Sequence, residues 1–295
     1  MKKPVIIVKD NLLMPILATE VRTNEIQMEM RSVSSPVILN GLFLMLVSYI
    51  ESMQKEVLTY YLKYQPERIA NNNKNTVEID KQVLIENEDF HFTERLVSEY
   101  IDKMPYWQFT EIFYKVLRIK KPDNELSIEN IKRRRNELIH SNLEVDFKKG
   151  TATHIYIDSD YLAYSLGEYI NYLDNLKTEI SRRYDKCTKL NALKSLWHYT
   201  FRTPLCGNFE DYWHIDIESD LIFAYKISQH EGGLSGSEKF MLGIWRSQVS
   251  NYKVDFINMA SLGQHMQFCL YMFLKLSNDI FLYQGGDLKM RSKPC

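Results

Sequence analysis

The spacing of apolar residues along the chain predicts a mostly α protein. After the cap formed by Ser34-Ser35-Pro36, apolar side chains recur every three or four positions as far as Tyr64, which predicts a long core helix. The same spacing predicts three further helices, over 93–118 with a bend near Pro105, from about Ser127 to Asn142, and over 160–184. Together these four segments predict a helical bundle.

Strand-like alternation interrupts this helical pattern just before the fourth helix. Two alternating runs, 143–147 and 153–157, flank Lys148-Lys149-Gly150 and predict a small β-hairpin. Residues 1–33 show only a short apolar run at 5–8, consistent with a strand, and a broken helical pattern past Pro15. We therefore predict an N-terminal extension over 1–33 and a helical domain over 34–188.

Residues 189–295 differ in character, and we predict that they form a helical C-terminal domain or extension of unknown role. Helices are expected over 238–250 and 258–283. Ser235 and Glu238 fit a capping box, and the run around them lacks the Gly-Lys-Ser/Thr ending of a phosphate-binding loop. The aromatic residues of this part are expected to pack in a core or interface rather than to stack on bases: Trp197, Tyr199, Phe201, Tyr212 and Trp213.

Composition and charge favour a soluble, cytoplasmic protein. A net charge of −1 over 295 residues excludes a globally basic nucleic-acid binder. The four cysteines have no paired spacing, which indicates reduced thiols, and no metal is expected because Cys187, His198, Cys206 and His214 match no common zinc module. The longest apolar run, Val37 to Ile50, is too short to span a membrane.

One arginine lies where the helical pattern places apolar residues. At 100° per residue, Arg135 falls at the centre of a stripe formed by Ile128, Ile131, Leu138, Ile139 and Asn142. Burying an unpaired charge is costly, so Arg135 needs a partner. That partner could be a phosphate, or a carboxylate such as Glu51 or Glu111 in a structural ion pair.

Two more residues of this helix complete a known signature. Arg135-Asn136-x-x-x-His140 resembles the motif of HEPN domains, an all-helical group of metal-independent ribonucleases common among bacterial toxins and antiphage systems. The resemblance covers about 34–185 and implies a HEPN-like four-helix bundle that needs no cofactor. Ser141 stands where many members of the family have glycine.

The resemblance implies an endoribonuclease with Arg135, Asn136 and His140 as catalytic residues. The RNA 2′-hydroxyl would attack the neighbouring phosphorus, with His140 as general base or acid and Arg135 stabilising the phosphorane. Asn136 could orient His140 or bind the phosphate. Because Arg135 and His140 lie about 140° apart on one helix, and the family works as dimers, we expect a homodimer with 127–142 near its axis.

Basic residues cluster before and on the motif helix. From Lys115 to Arg135 there are eight basic and three acidic residues, an excess that could guide RNA. The candidates for RNA contacts are Lys120, Lys121, Lys132, Arg133 and Arg134, and a solvated helix face is the alternative. An antitoxin or defence-system protein is a further possible partner.

Three alternative interpretations are open. His140 could be a surface histidine without chemistry. The chain could be a non-catalytic dimeric adaptor or RNA-binding module in a defence complex. It could also be an unrelated helical enzyme in which the motif is accidental.

Overall fold

The computed structural model describes residues 6–65, 68, 97, 100–104, 106–140, 143–146, 151–201, 209, 213–218, 221–227, 233–247, 262–284 and 287–290. The helices of this part are α1 (Lys9–Met30), α2 (Pro36–Tyr64), α3 (Tyr106–Leu117), α4 (Glu125–His140), α5 (Ser159–Arg183), α6 (Lys189–Thr200), α7 (Gly236–Ser247) and α8 (Gln264–Ile280). The strands are β1 (Leu143–Asp146), β2 (Thr151–His154), β3 (Trp213–Glu218), β4 (Leu221–Ile227), β5 (Phe281–Gln284) and β6 (Asp287–Met290). The predicted mostly α class is confirmed.

The chain divides into two compact units. The motif unit comprises 12–78 and 93–184, and the second unit comprises 1–11, 79–92 and 185–295. The division after Tyr184 lies close to the boundary predicted after residue 188. Most of α1 belongs to the motif unit, although the sequence pattern assigns 1–33 to a separate extension.

Helix α2 is the central element of the motif unit. It packs against α3, α4 and α5, and α4 also packs against α5. Its buried face follows the predicted spacing of threes and fours, with Phe43, Leu46, Ile50 and Val57 fully buried. Strands β1 and β2 pair antiparallel between α4 and α5.

The spacing of apolar residues does not clearly predict helix α1. Two buried threonines satisfy their hydroxyls within the helix, because Thr19 Oγ1 donates to the carbonyl of Pro15 and Thr23 Oγ1 to that of Thr19, both at 2.8 Å. Such polar positions on the buried face, together with a proline inside the helix, break the apolar period. Residues 6–8 are not a strand, contrary to the expectation for 5–8.

The second unit contains a sheet that its periodicity does not predict. Strands β3 to β6 form a four-stranded antiparallel sheet in the order β3-β4-β6-β5, so the part of the chain that was predicted as a helical domain or extension contains a sheet besides its helices. Helix α6 was also missed, and it packs against α8. The predicted helix over 258–283 ends earlier, at Ile280, where the chain continues directly into β5.

Two smaller predictions for the second unit are confirmed. Ser235 and Glu238 form the capping box of α7, since the Glu238 amide donates to Ser235 Oγ at 3.3 Å and the Ser235 amide donates to Glu238 Oε2 at 2.9 Å. Trp197 and Phe201 pack in the core, where Trp197 meets Trp245 edge to face at 5.1 Å. Tyr212 lies outside the described residues.

Among the described helices, α2 alone is long and apolar enough to cross a membrane by length and composition. The apolar window of this helix is longer than the run from Val37 to Ile50 that the sequence shows. Core helices of soluble proteins pass the same test, and 33% of the most apolar window of α2 is buried inside the protein.

Candidate functional site

Two polar triplets meet between α2 and α4. Each triplet has members at positions i, i+3 and i+4, so each lies on one face of its helix. The residues are Glu51, Gln54 and Lys55 on α2, and Lys132, Arg135 and Asn136 on α4. Glu51 accepts a hydrogen bond from Arg135, and Gln54 accepts one from Lys132. The two helices are therefore joined by two polar contacts one turn apart.

Arg135 forms an ion pair with the carboxylate of Glu51 through Nη2. Its Nη1 donates to Asn136 Oδ1 at 3.0 Å. The Nε atom is buried and has no hydrogen-bond partner among the described residues. The structural ion pair that the sequence offers as one alternative is thus formed, and it leaves the buried Nε donor unsatisfied.

Lys132 is the most deeply buried cation of the site. Only 3% of the residue is exposed, and its Nζ donates to Gln54 Oε1 at 3.0 Å. Burial lowers the pKa of Lys132 to about 8, and the nearby carboxylates of Glu51 and Glu125 partly oppose that shift. The stripe predicted for this helix omits Lys132 and includes Ile139, yet Ile139 is half exposed.

A cavity of about 210 Å³ opens beside these side chains, several times the ~30 Å³ that one water molecule occupies. Its lining includes three cationic side chains, Lys55, Lys132 and Arg135, and two carboxylates, Glu51 and Asp102. Lys55 is tied to Asp102 by an ion pair of 2.6 Å. Ile101, Met104 and Phe109 supply an apolar part of the wall. A site with one excess positive charge and an apolar wall is suited to an anionic ligand that also carries an apolar group.

Asn136 lines this cavity, but His140 is not among its described lining residues. His140 is the last residue of α4 and is exposed. Within one chain, the structure therefore groups Arg135 with Asn136 and leaves the third residue of the motif apart, as the angle between them on an ideal helix implies.

The remaining candidates for RNA contacts lie on the surface. Arg133 donates to Asn130 Oδ1 at 2.6 Å, and Arg134 pairs with Glu137 at 3.2 Å. Lys120 and Lys121 lie before the N-terminus of α4, where Lys120 pairs with Asp123 at 3.3 Å and Lys121 lies over the ring of Tyr114. Of the five candidates for RNA contacts, Lys132 alone is among the described residues that line the cavity.

Gln54, Lys55 and Asp102 were not singled out from the sequence. One signal was available, because Gln54 stands at a position that the period of α2 assigns to the core, and it is 1% exposed. A buried glutamine predicts a polar partner, although it does not say which. Asp102 carried no such signal, because it precedes a break in the helical pattern.

No group of three or more His, Cys, Asp or Glu side chains placed to hold a metal ion occurs within the described residues. Comparison of the chain with protein-family models, with curated proteins and with solved structures found no match.

Proposed function

We propose that this chain is a metal-independent endoribonuclease of the HEPN type that acts as a toxin or antiphage effector. The observation that carries the proposal is the cavity in which Arg135 and Asn136, two residues of the motif, lie beside the buried cation Lys132. In this proposal α2 to α5 form the HEPN-like bundle, and β1 and β2 form its hairpin. The protein acts in the cytoplasm, with α2 as a core helix.

Arg135 is the residue that would bind the scissile phosphate. A guanidinium edge made of Nε and one Nη matches two oxygens of a phosphate, and charge-assisted bonds of this kind are about twice as strong as neutral ones. Glu51 occupies Nη2, and Nε is unsatisfied. A phosphate that displaces Glu51 from Nη2 would satisfy both donors, so Glu51 serves as a placeholder when RNA is absent.

His140 would reach the scissile linkage from a second copy of the chain. It is exposed at the end of α4 and lies outside the cavity of its own chain. In a twofold dimer with α4 near the axis, His140 of one copy faces the Arg135 of the other. Exposed apolar side chains on and next to this end of the motif unit, Ile139 at 50% and Tyr156 at 52%, are compatible with burial in such an interface.

The reaction needs no metal in this proposal. The 2′-hydroxyl loses its proton and attacks phosphorus, the bond to the 5′-oxygen breaks, and the products are a 2′,3′-cyclic phosphate and a 5′-hydroxyl end. Histidine suits the proton transfer because its ordinary pKa is near neutrality. Arginine suits the dianionic phosphorane because it stays charged and presents a planar fork of donors.

A non-catalytic dimeric adaptor is the second candidate, and one observation favours it. Arg135 already has a carboxylate partner in Glu51, and His140 is exposed, so both residues have an ordinary structural explanation. In an adaptor the Glu51–Arg135 pair would only hold α2 against α4.

Expression in bacteria separates the two candidates. We expect wild type to stop growth and to fragment cellular RNA, while Arg135→Gln and His140→Ala do neither and remain folded by circular dichroism. Arg182→Gln is the matched control, because Arg182 is an exposed arginine of α5 that is not among the candidates for RNA contacts, and it should remain toxic. If all four proteins are tolerated equally, the adaptor explains the structure better.

A further inference from the structure

A chain of buried polar groups crosses the motif unit and ends at the ammonium of Lys132. It draws one or more residues from each of the four helices α2 to α5: Gln54, Tyr114, Glu125, Lys132 and Tyr172. Lys132 donates to Gln54 Oε1, and Gln54 Nε2 donates to the hydroxyl of Tyr172. The hydroxyl oxygens of Tyr172 and Tyr114 are 2.9 Å apart, and Tyr114 donates to Glu125 Oε2 at 2.6 Å.

With Glu125 as a carboxylate, which can only accept, the proton count fixes the direction of this chain. Each tyrosine hydroxyl has one proton, and that of Tyr114 is used in the bond to Glu125. Tyr172 must then donate to Tyr114, so every donor points from Lys132 towards Glu125. Bonds aligned in this way polarise one another in a low dielectric, and they hold the positive end of the chain at the cavity.

A contribution to stability does not by itself explain why the protein contains this buried chain of polar groups. Replacing a buried ionic or polar array by apolar residues of similar size is often neutral or stabilising. The four helices have apolar faces that could be continued through this layer. The array instead places the amine of Lys132, a residue that is 3% exposed, in the wall of the cavity that also holds the Arg135 guanidinium. That placement is what a residue acting on a ligand at Arg135 requires.

We propose that Lys132 is the general acid that protonates the leaving 5′-oxygen of RNA, and that Gln54, Tyr172 and Tyr114 are positioning residues for it. The inference rests on the proposed ribonuclease function. His140 then acts as the base and takes the proton of the 2′-hydroxyl. As the new 2′-oxygen–phosphorus bond forms, the bond from phosphorus to the 5′-oxygen breaks, and a proton of the Lys132 ammonium passes to that oxygen. The Lys132 amine regains a proton from water, and the His140 imidazolium returns one to water.

The acid strength of Lys132 suits this role. A general acid works best when its pKa lies near the working pH, and burial brings the pKa of Lys132 to about 8. The charged and titratable groups around it are Glu51 on α2, Glu125, Glu129 and Arg135 on α4, Tyr114 on α3 and Tyr172 on α5, with Lys55 and Asp102 in the same cavity wall. Activity of wild type should therefore fall as pH rises above about 8.

A sulfur-substituted substrate tests the proposal directly. Wild type and variants are assayed on an RNA oligonucleotide that wild type cleaves, and on the same oligonucleotide with sulfur in place of the bridging 5′-oxygen. A thiolate needs no proton to leave, since thiols have a pKa of about 8.5. We expect Lys132→Met to lower kcat on the oxygen substrate by about 10²- to 10⁴-fold, the usual contribution of general acid catalysis, and to cleave the sulfur substrate within about tenfold of wild type.

Two further variants separate proton transfer from charge and from folding. Lys132→Arg keeps the positive charge but cannot donate at neutral pH, so it should behave as Lys132→Met does. Tyr172→Phe should lower kcat on the oxygen substrate by about tenfold at unchanged KM, and leave the sulfur substrate unaffected. Equal loss on both substrates in folded Lys132 variants would overturn the inference and leave the ribonuclease standing, as would full activity of Lys132→Arg. If wild type cleaves no RNA in a preceding screen of total cellular RNA and oligonucleotides, both proposals are overturned.

Discussion

Substitutions in the Glu51–Arg135 pair distinguish a structural role of Arg135 from a functional one. The two side chains are 25% and 21% exposed, so the pair lies between surface pairs, worth about 0–1 kcal/mol, and buried pairs, whose disruption costs about 3–5 kcal/mol. We expect Glu51→Gln and Arg135→Gln each to lower the free energy of unfolding by about 1–2 kcal/mol. Urea denaturation followed by circular dichroism measures this loss.

The same two variants should have opposite effects on RNA binding. Glu51→Gln removes the carboxylate that competes with phosphate, so RNA affinity should rise by about three- to tenfold, a gain of roughly 0.6–1.4 kcal/mol. Arg135→Gln should weaken binding by at least about tenfold. Fluorescence anisotropy with a labelled RNA oligonucleotide at fixed salt measures both, and Arg133→Gln is the control for lost charge.

A symmetric result would refute this reasoning. If both substitutions lower stability by the same amount and neither changes RNA affinity beyond the effect of Arg133→Gln, then the pair only joins α2 to α4. In that case Arg135 has no role in binding phosphate, and the adaptor explains the site.

Three further outcomes follow from the same contacts. Because burial lowers the pKa of Lys132 to about 8, the unfolded chain binds more protons between about pH 8 and 10, so stability should rise with pH there by up to about 3 kcal/mol. Lys132→Met should lack that rise in urea titrations, and parallel pH profiles would contradict it. Tyr172→Phe should cost about 1–3 kcal/mol, because it leaves buried partners unsatisfied, and a neutral result would contradict the chain of hydrogen bonds. Ser235→Ala should lower the melting temperature through a loss of about 1 kcal/mol at the α7 cap, whereas no change would show that the capping box contributes nothing.

The local sequence was sufficient to predict the helices in which apolar residues recur at regular intervals. Helix α2 begins at Pro36 and ends at Tyr64, where the sequence predicts its ends, although the side chain of Ser35 makes no cap hydrogen bond. Helix α4 covers most of 127–142. Helix α1 was not predicted, because two of its buried positions are threonines whose hydroxyls bond to backbone carbonyls of the same helix. The pairing of β4 with β6, which lie far apart in the chain, joins the two hairpins of the sheet in the second unit, and no local period predicts that pairing.

In the site, too, some residues could be predicted from the local sequence and others depend on contacts between distant parts of the chain. The misplaced charge of Arg135 and its alternative partner Glu51 could both be proposed from the sequence. The burial of Lys132 could not, because a lysine at the edge of an apolar stripe is ordinarily solvated. Its inward position depends on Gln54 and Tyr172, which lie on two other helices. Tertiary hydrogen bonds of this kind decide which of several basic residues enters the cavity.

The central claim is that Arg135 of one subunit and His140 of another act on one scissile phosphate. Mixing two inactive variants, Arg135→Gln and His140→Ala, tests it most directly. In a randomly mixed population half of the dimers are heterodimers, and each contains one intact composite site of two, so RNA cleavage in EDTA should recover to about a quarter of wild type. No recovery, with heterodimers verified by mass, would contradict the account.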